Sequence, residues 1–313
     1  MKWTKEGFIC SKETLNLDWY KKNTMVPLPY LKNKDCLRIF VTMCDEKNIG
    51  RIGYVDVNPS NPEEIIGYSK TPVIDIGEDG KFDDNGVVTA SLFKEDNKLY
   101  MFYSGYQLSV KVPYFIFTGL AVSEDDGDTF KKISIDVPIL DRIPGEINTR
   151  CVPFVIKENG VYKMWYTADF GSGWIDGNKK KVPLYDLKYL ESTSITDWSR
   201  ENGQTVISCK DNDEHGIAKC TLWKENGLYK IIYSIRSISQ GYRLGYAESA
   251  DGKNFERNDK KVGIDVSSSG WDSEMVAFAE RIEIDENTTY LFYCGNHYGM
   301  AGIGYAKLSN LKD

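Results

Sequence analysis

Tyr100-Met-Phe-Tyr103 returns as Tyr162-Lys-Met-Trp-Tyr166, Tyr229-Lys-Ile-Ile-Tyr233 and Tyr290-Leu-Phe-Tyr293, with Leu37-Arg-Ile-Phe40 as a worn first copy. Counted from Phe40, the aromatics Tyr103, Tyr166, Tyr233 and Tyr293 follow at steps of 63, 63, 67 and 60 residues. A step this long and regular marks a repeated supersecondary unit. A second signature trails each copy: Arg51-Ile-Gly-Tyr-Val55, Gly119-Leu-Ala-Val-Ser123, Leu187-Lys-Tyr-Leu-Glu-Ser192, Leu244-Gly-Tyr-Ala-Glu-Ser249 and Ile303-Gly-Tyr-Ala-Lys307. Its alternation suits a strand with one packed face. Three copies run on into a turn and an aromatic: Asp125-Asp126-Gly127 before Phe130, Thr196-Asp197 before Trp198, and Asp251-Gly252 before Phe255. Asp-Gly supplies the positive φ of a tight hairpin, so the aromatic opens a further strand.

Each unit is thus about four short antiparallel strands, and such sheets repeated radially make a propeller. The expectation is all-β: one five-bladed β-propeller domain, each blade a four-stranded antiparallel sheet, over 18–60, 82–136, 146–202, 213–260 and 272–310. Residues 1–17 are expected to add an outer strand beside the last blade and close the ring. A stacked solenoid of the same period would want polar terminal caps, whereas the last repeat, Gly302-Ile-Gly-Tyr-Ala306, is as apolar as the middle ones.

With 313 residues, 41% hydrophobic and 27% charged, the chain has the composition of a soluble globular protein. No run approaches the roughly 18 apolar residues of a membrane helix. Met1-Lys-Trp-Thr-Lys-Glu6 carries no apolar signal region, and seven cysteines without a C-x-x-C pair suit free thiols. The expected location is the cytoplasm. A net charge of −7 argues against a nucleic-acid partner. The one basic run, Lys179-Lys-Lys181, reads as a solvated loop tip. The sequence fixes no oligomeric state.

In a propeller the first strand of each blade lines a central channel. Aligned on the Tyr-x-x-Tyr cores, Asp84 (in Phe82-Asp83-Asp84-Asn-Gly86), Glu146, Asp213 with Glu214 one residue beyond, and Glu274 fall in register and are expected to gather at one mouth. Convergent carboxylates shift each other's pKa, which is how one is held as general acid while another stays ionised. Glycoside cleavage needs such a pair. Asp83 is a further candidate for binding substrate.

Arg150 and Arg236 lie by the same mouth, where they hold an anionic substrate group or neutralise the acids. His215 and His297 are the only histidines, each beside a repeat motif, as substrate contacts or plain hydrogen-bonded side chains. Tyr233, Trp174, Tyr106 and Tyr298 are candidates for sugar stacking or for packing. No Gly-rich phosphate loop, G-x-S-x-G elbow or H-E-x-x-H helix is present, so no cofactor is expected. The acid ring leaves a divalent cation in the channel open.

Phe82-Asp-Asp-Asn-Gly-Val87 before Tyr100-Met-Phe-Tyr-Ser-Gly105, Tyr233-Ser-Ile-Arg236 before Tyr242-Arg-Leu-Gly-Tyr-Ala-Glu-Ser-Ala-Asp-Gly252, and Trp271-Asp-Ser-Glu-Met275 with Phe292-Tyr-Cys-Gly-Asn-His-Tyr-Gly299 carry a resemblance. Over about residues 20 to 308 the chain resembles the five-bladed glycoside hydrolase 43/32-like propellers found among bacterial surface-polysaccharide genes. The resemblance implies a carbohydrate-active enzyme that hydrolyses or transfers a glycosyl unit, with a sugar or nucleotide-sugar ligand, Glu214 as general acid and Asp84 as base or nucleophile. Glu146 and Glu274 would tune these groups. Such hydrolases also place an Asp at the start of the first blade's inner strand. Here that stretch is Lys21-Lys-Asn-Thr-Met-Val-Pro27, without an acid, and Asp18 lies too far upstream. The alternative is a glycan-binding or scaffold propeller that has lost catalysis.

Overall fold

A computed structural model describes residues 1–176 and 181–309, so Lys179 and Lys180 of the basic run lie outside the described residues. Nearly all regular structure is β. β1 (Trp3–Cys10) is followed by four runs of four strands and one of three. The first run is β2 (Thr24–Asn33), β3 (Cys36–Cys44), β4 (Gly50–Asn58) and β5 (Asn61–Tyr68); the second is β6 (Val87–Glu95), β7 (Lys98–Leu108), β8 (Tyr114–Ser123) and β9 (Lys131–Lys132). The third is β10 (Thr149–Glu158), β11 (Val161–Asp176), β12 (Lys181–Ser192) and β13 (Gln204–Ile207). The fourth is β14 (Glu214–Glu225), β15 (Leu228–Ser237), β16 (Gly241–Ser249) and β17 (Glu256–Arg257). Three strands, β18 (Ala277–Asp285), β19 (Thr288–Cys294) and β20 (Ile303–Leu308), begin the last run, and β1 completes it by pairing antiparallel with β20. The outer strand expected from the N-terminal residues is therefore present.

Within each run the strands pair antiparallel in chain order. Short parallel bridges, Thr149 to Ile116 and Tyr185 to Gly216, join the middle three runs into one twelve-stranded sheet, leaving two four-stranded sheets. The first strands touch in cyclic order: β2 with β6, β6 with β10, β10 with β14, β14 with β18, and β18 with β2. The first run extends past residue 60 to Tyr68. The fourth strand follows Phe130 and Phe255 directly in the second and fourth runs, but starts well after Trp198 in the third.

Strand register explains the repeated aromatics. Tyr103, Tyr233 and Tyr293 each pair with a glycine of the third strand, Gly119, Gly245 and Gly304, while Tyr166 pairs with Lys188. A Cβ on Gly119 would meet the Tyr103 ring at 2.3 Å, and one on Gly245 the Tyr233 ring at 2.5 Å. The glycine lets the ring cross the third strand. In the first run Gly53 pairs with Val41, and Phe40 pairs with Tyr54. Val41, not Phe40, is the structural equivalent of Tyr103. The sequence alignment is one residue off there because both positions are apolar and fully buried.

The residue after this position ties one run to the next. Thr42 Oγ1 accepts from the Thr89 amide at 3.0 Å, Ser104 Oγ from Val152 at 2.9 Å, and Ser234 Oγ from Phe278 at 2.8 Å. Thr167 donates to the Ile217 carbonyl at 3.3 Å. These amides and carbonyls are free because every first strand slips register at this level. A bulge leaves its extra residue unpaired. Val26, Val152, Lys219 and Phe278 sit at these bulges with φ of 53°, 43°, 32° and 53°. Positive φ in a β-branched residue is strained by about 1–3 kcal/mol, a strain met where the surrounding structure over-determines it.

Candidate functional site

The bulges turn Val26, Val152 and Phe278 into a central cavity of about 330 Å³, to which all five first strands contribute. Its other wall is aromatic. Tyr106 packs edge-on to Tyr114 at 5.2 Å between ring centroids, and Tyr114 to Trp174 at 5.1 Å. A second run joins Phe278, Tyr242 and Tyr298, at 4.8 and 5.8 Å. Burial raises the Tyr106 and Tyr242 hydroxyls well above the usual phenol range, so both stay neutral.

Arg236, near the end of β15, supplies the cavity's one charge among the described residues. Its Nη2 donates to the Tyr298 hydroxyl at 3.1 Å and its Nη1 to the Tyr185 hydroxyl at 3.5 Å; Tyr185 and Tyr242 share a hydrogen bond of 2.7 Å. Arg38, Arg51, Arg150, Arg243, Arg257 and Arg281 all pair with carboxylates. Among the described residues Arg236 pairs with none. Tyr298 reaches it from a turn where His297 and Tyr298 hold φ of 55° and 58°, pinned by Asn23 Nδ2 donating to both their carbonyls at 3.0 Å.

The predicted acids go elsewhere. Among the described residues no Asp or Glu lines the cavity. Asp84 closes a turn, accepting from the Gly80 amide at 2.9 Å. Its neighbour Asp83 is the fully buried one, taking Lys132 Nζ at 2.6 Å and the Tyr103 hydroxyl at 3.2 Å. Glu146, also fully buried, takes the Tyr166 hydroxyl at 2.9 Å, Lys188 Nζ at 2.9 Å and Arg150 Nε at 2.7 Å. In the fourth run Asp259 meets Tyr233 at 2.5 Å. Burial pushes Asp259 up, but hydrogen bonds from Lys210 and Tyr233 and the charge of Arg257 hold it below the usual range. Glu214 is held by Arg257 at 2.9 Å through both oxygens, and Asp213 by Ser239. In the last run Asp272, not Glu274, meets Tyr293 at 2.9 Å and Lys5 Nζ at 2.6 Å.

Of the aligned acids only Glu146 partners its aligned tyrosine; Asp83, Asp259 and Asp272 take that place in the second, fourth and last runs. Val41 has no hydroxyl, and the first run accordingly has no acid at that place. Of the predicted residues, the cavity brings together Arg236 and Tyr298, with Tyr106; Trp174 stands behind Tyr114 with its Nε1 unpartnered. Arg150 and Tyr233 belong to the locks. His215 borders the site: its Nδ1 lies 2.9 Å from the Pro183 carbonyl, and burial with the nearby Arg236 charge lowers its pKa. Glu274 and His297 form an exposed pair at 3.4 Å. The Lys21–Pro27 stretch gives the cavity Met25 and Val26 where the resemblance implied an acid. Tyr114, Tyr185, Tyr242 and Phe278 went unpredicted. An aromatic shortly before the third-strand glycine or Lys188 was the available signal for the three tyrosines. Among the described residues no group of three or more His, Cys, Asp or Glu is placed to hold a metal.

No protein-family model matches the chain. Two Mycobacterium tuberculosis proteins, each named an uncharacterized protein, MT1551 and Rv1502, are 28% identical to it over 315 residues, covering 99% of this chain and 100% of theirs. Among solved structures, BT0996 in an RGII complex matches with a TM-score of 0.71 at 19% identity, covering 97% of this chain and 90% of that one. A thermostable family-43 glycoside hydrolase matches at 0.64 and 14%, covering 94% and 91%. The sucrose-6-phosphate hydrolase of Lactobacillus gasseri matches at 0.60 and 14%, covering 93% and 60%. In fold, the chain resembles the glycoside hydrolase 43/32-like propellers and their relatives.

Proposed function

We propose that the chain is a single five-bladed β-propeller that binds a carbohydrate in its central cavity, as a glycan-binding protein and not as a hydrolase working through paired carboxylates. The cyclic contact of the five first strands supports the blade count. One observation carries the functional reading: among the described residues the cavity offers aromatic faces, hydroxyls and a guanidinium, the groups that hold sugars, and no carboxylate. The likeness in fold to glycan-active proteins supports the ligand class and a setting in surface-glycan or sugar-nucleotide metabolism, and seven free cysteines support a reducing, cytoplasmic compartment.

A catalytic reading keeps one foothold. The Glu274 carboxylate is exposed beside His297, the chain neighbour of cavity-lining Tyr298. Calorimetric titration of neutral and acidic glycans, with product analysis of the same mixtures, separates the two. Binding without turnover, lost in Tyr242→Ala and kept in Asp84→Asn and Glu214→Gln, is the expected result. Turnover of any glycoside or nucleotide sugar that Glu274→Gln abolishes would replace the binding reading with the enzymatic one.

A further inference from the structure

Arg236 is held in a cavity whose other polar side chains among the described residues are phenols, two threonines and a cysteine, none of them a carboxylate. Withdrawing a guanidinium from water without a counterion is costly, and phenol oxygens compensate only in part. Every other arginine that is not exposed has its carboxylate, so the fold supplies such partners wherever the charge serves packing alone. The 3.1 and 3.5 Å contacts to Tyr298 and Tyr185 occupy one donor on each Nη and are long enough to yield to a stronger acceptor.

Size narrows the ligand. A cavity of about 330 Å³ is at the lower end of the ~300–1,000 Å³ range of ligand pockets, which suits one sugar residue rather than a long oligosaccharide. The aromatic rings of Tyr242 and Tyr114 offer faces for its apolar side, and the guanidinium fork offers parallel donors to a planar carboxylate or to a phosphate.

We infer that the cavity selects a sugar residue carrying one anionic group, a uronate carboxylate or a sugar phosphate, which binds the Arg236 guanidinium between Tyr185 and Tyr298. This rests on the central cavity being a carbohydrate site. The anion displaces the phenol contacts, while Tyr298, on its left-handed turn, adjusts over the ligand. Neutral sugars lose the charge-assisted bonds but keep the aromatic contacts.

Saturation-transfer NMR and calorimetry with glucuronate, galacturonate and glucose 6-phosphate, each against neutral glucose and galactose, test it. The expected result is binding of at least one acidic sugar about tenfold or more tighter than its neutral counterpart, as charge-assisted bonds dictate. That preference disappears in Arg236→Met and is partly kept in Arg236→Lys. A response to the uronates alone assigns the carboxylate, and to the phosphate alone the phosphate. Equal binding of neutral and acidic sugars, unchanged in Arg236→Met, overturns the anion inference and leaves the carbohydrate site standing. No binding of any sugar overturns both. Circular dichroism on each variant shows it folded; were Arg236→Met to unfold, Arg236→Lys with Tyr298→Phe carries the comparison, and a preference untouched by both overturns the inference.

Discussion

Tyr166 donates its hydroxyl to Glu146 at 2.9 Å, and the same carboxylate holds Lys188 Nζ, also at 2.9 Å. The pair is a structural lock inside the third run, repeated as Tyr103 with Asp83, Tyr233 with Asp259, and Tyr293 with Asp272. Removing one member leaves the others buried and short of a partner. Tyr166→Phe is expected to cost about 1.5–3 kcal/mol, the range for a hydrogen bond to a charged group. Glu146→Gln, which strands two cations, is expected to cost about 3–5 kcal/mol. Glu274→Gln, at an exposed side chain, should stay within about 0.5 kcal/mol. Urea unfolding of the three variants checks the order, and a Glu146→Gln protein as stable as the parent would remove the lock.

Strand register, more than residue type, separates what was legible in the sequence from what was not. The repeat was plain because three of the five runs place a tyrosine ring over a third-strand glycine, and that demand recurs in the sequence. The site was hidden because a strand's faces alternate, so a one-residue shift moves a side chain to the other face. Reading Phe40 for Val41 and Asp84 for Asp83 turned internal partners into a supposed ring of acids. The bulges at Val26, Val152 and Phe278 leave no compositional mark, although they build the cavity. Arg236 was visible, but its lack of a carboxylate is a fact of three dimensions.

Acid should weaken the contacts between runs. Glu158, at the end of β10, is raised by burial, but hydrogen bonds from Lys163, Tyr229 and Lys224 outweigh this and bring its pKa from 4.5 down to about 2. In that window the unfolded chain binds the extra proton, so its contribution is fully present above about pH 4.5 and is lost as pH falls towards 2. The expected outcome is a melting temperature for Glu158→Gln below the parent at pH 7, with the gap closing near pH 2. Added salt should narrow the gap, since the ion pair with half-exposed Lys224 is open to screening. A gap constant with pH would mean that the carboxylate's ionisation contributes nothing.

Lys5 gives the last lock a cation from the other end of the chain. It sits on β1, 2.6 Å from Asp272, whereas Lys132, Lys188 and Arg257 serve locks in their own runs. Pairing of β1 with β20 therefore also brings the buried Asp272 its cation. Lys5→Met keeps the side chain's bulk and leaves Asp272 with Tyr293 alone, an expected loss of about 1–3 kcal/mol. In a double-mutant cycle with Asp272→Asn the coupling should fall within about 0.5–3 kcal/mol, because the two residues touch. Limited proteolysis should cut Lys5→Met first near the N-terminal strand, since freeing β1 exposes the edge of β20 before the rest unfolds. Additive losses in the cycle, or cleavage elsewhere first, would show that β1 is held by its backbone pairing with β20 and not by this charge.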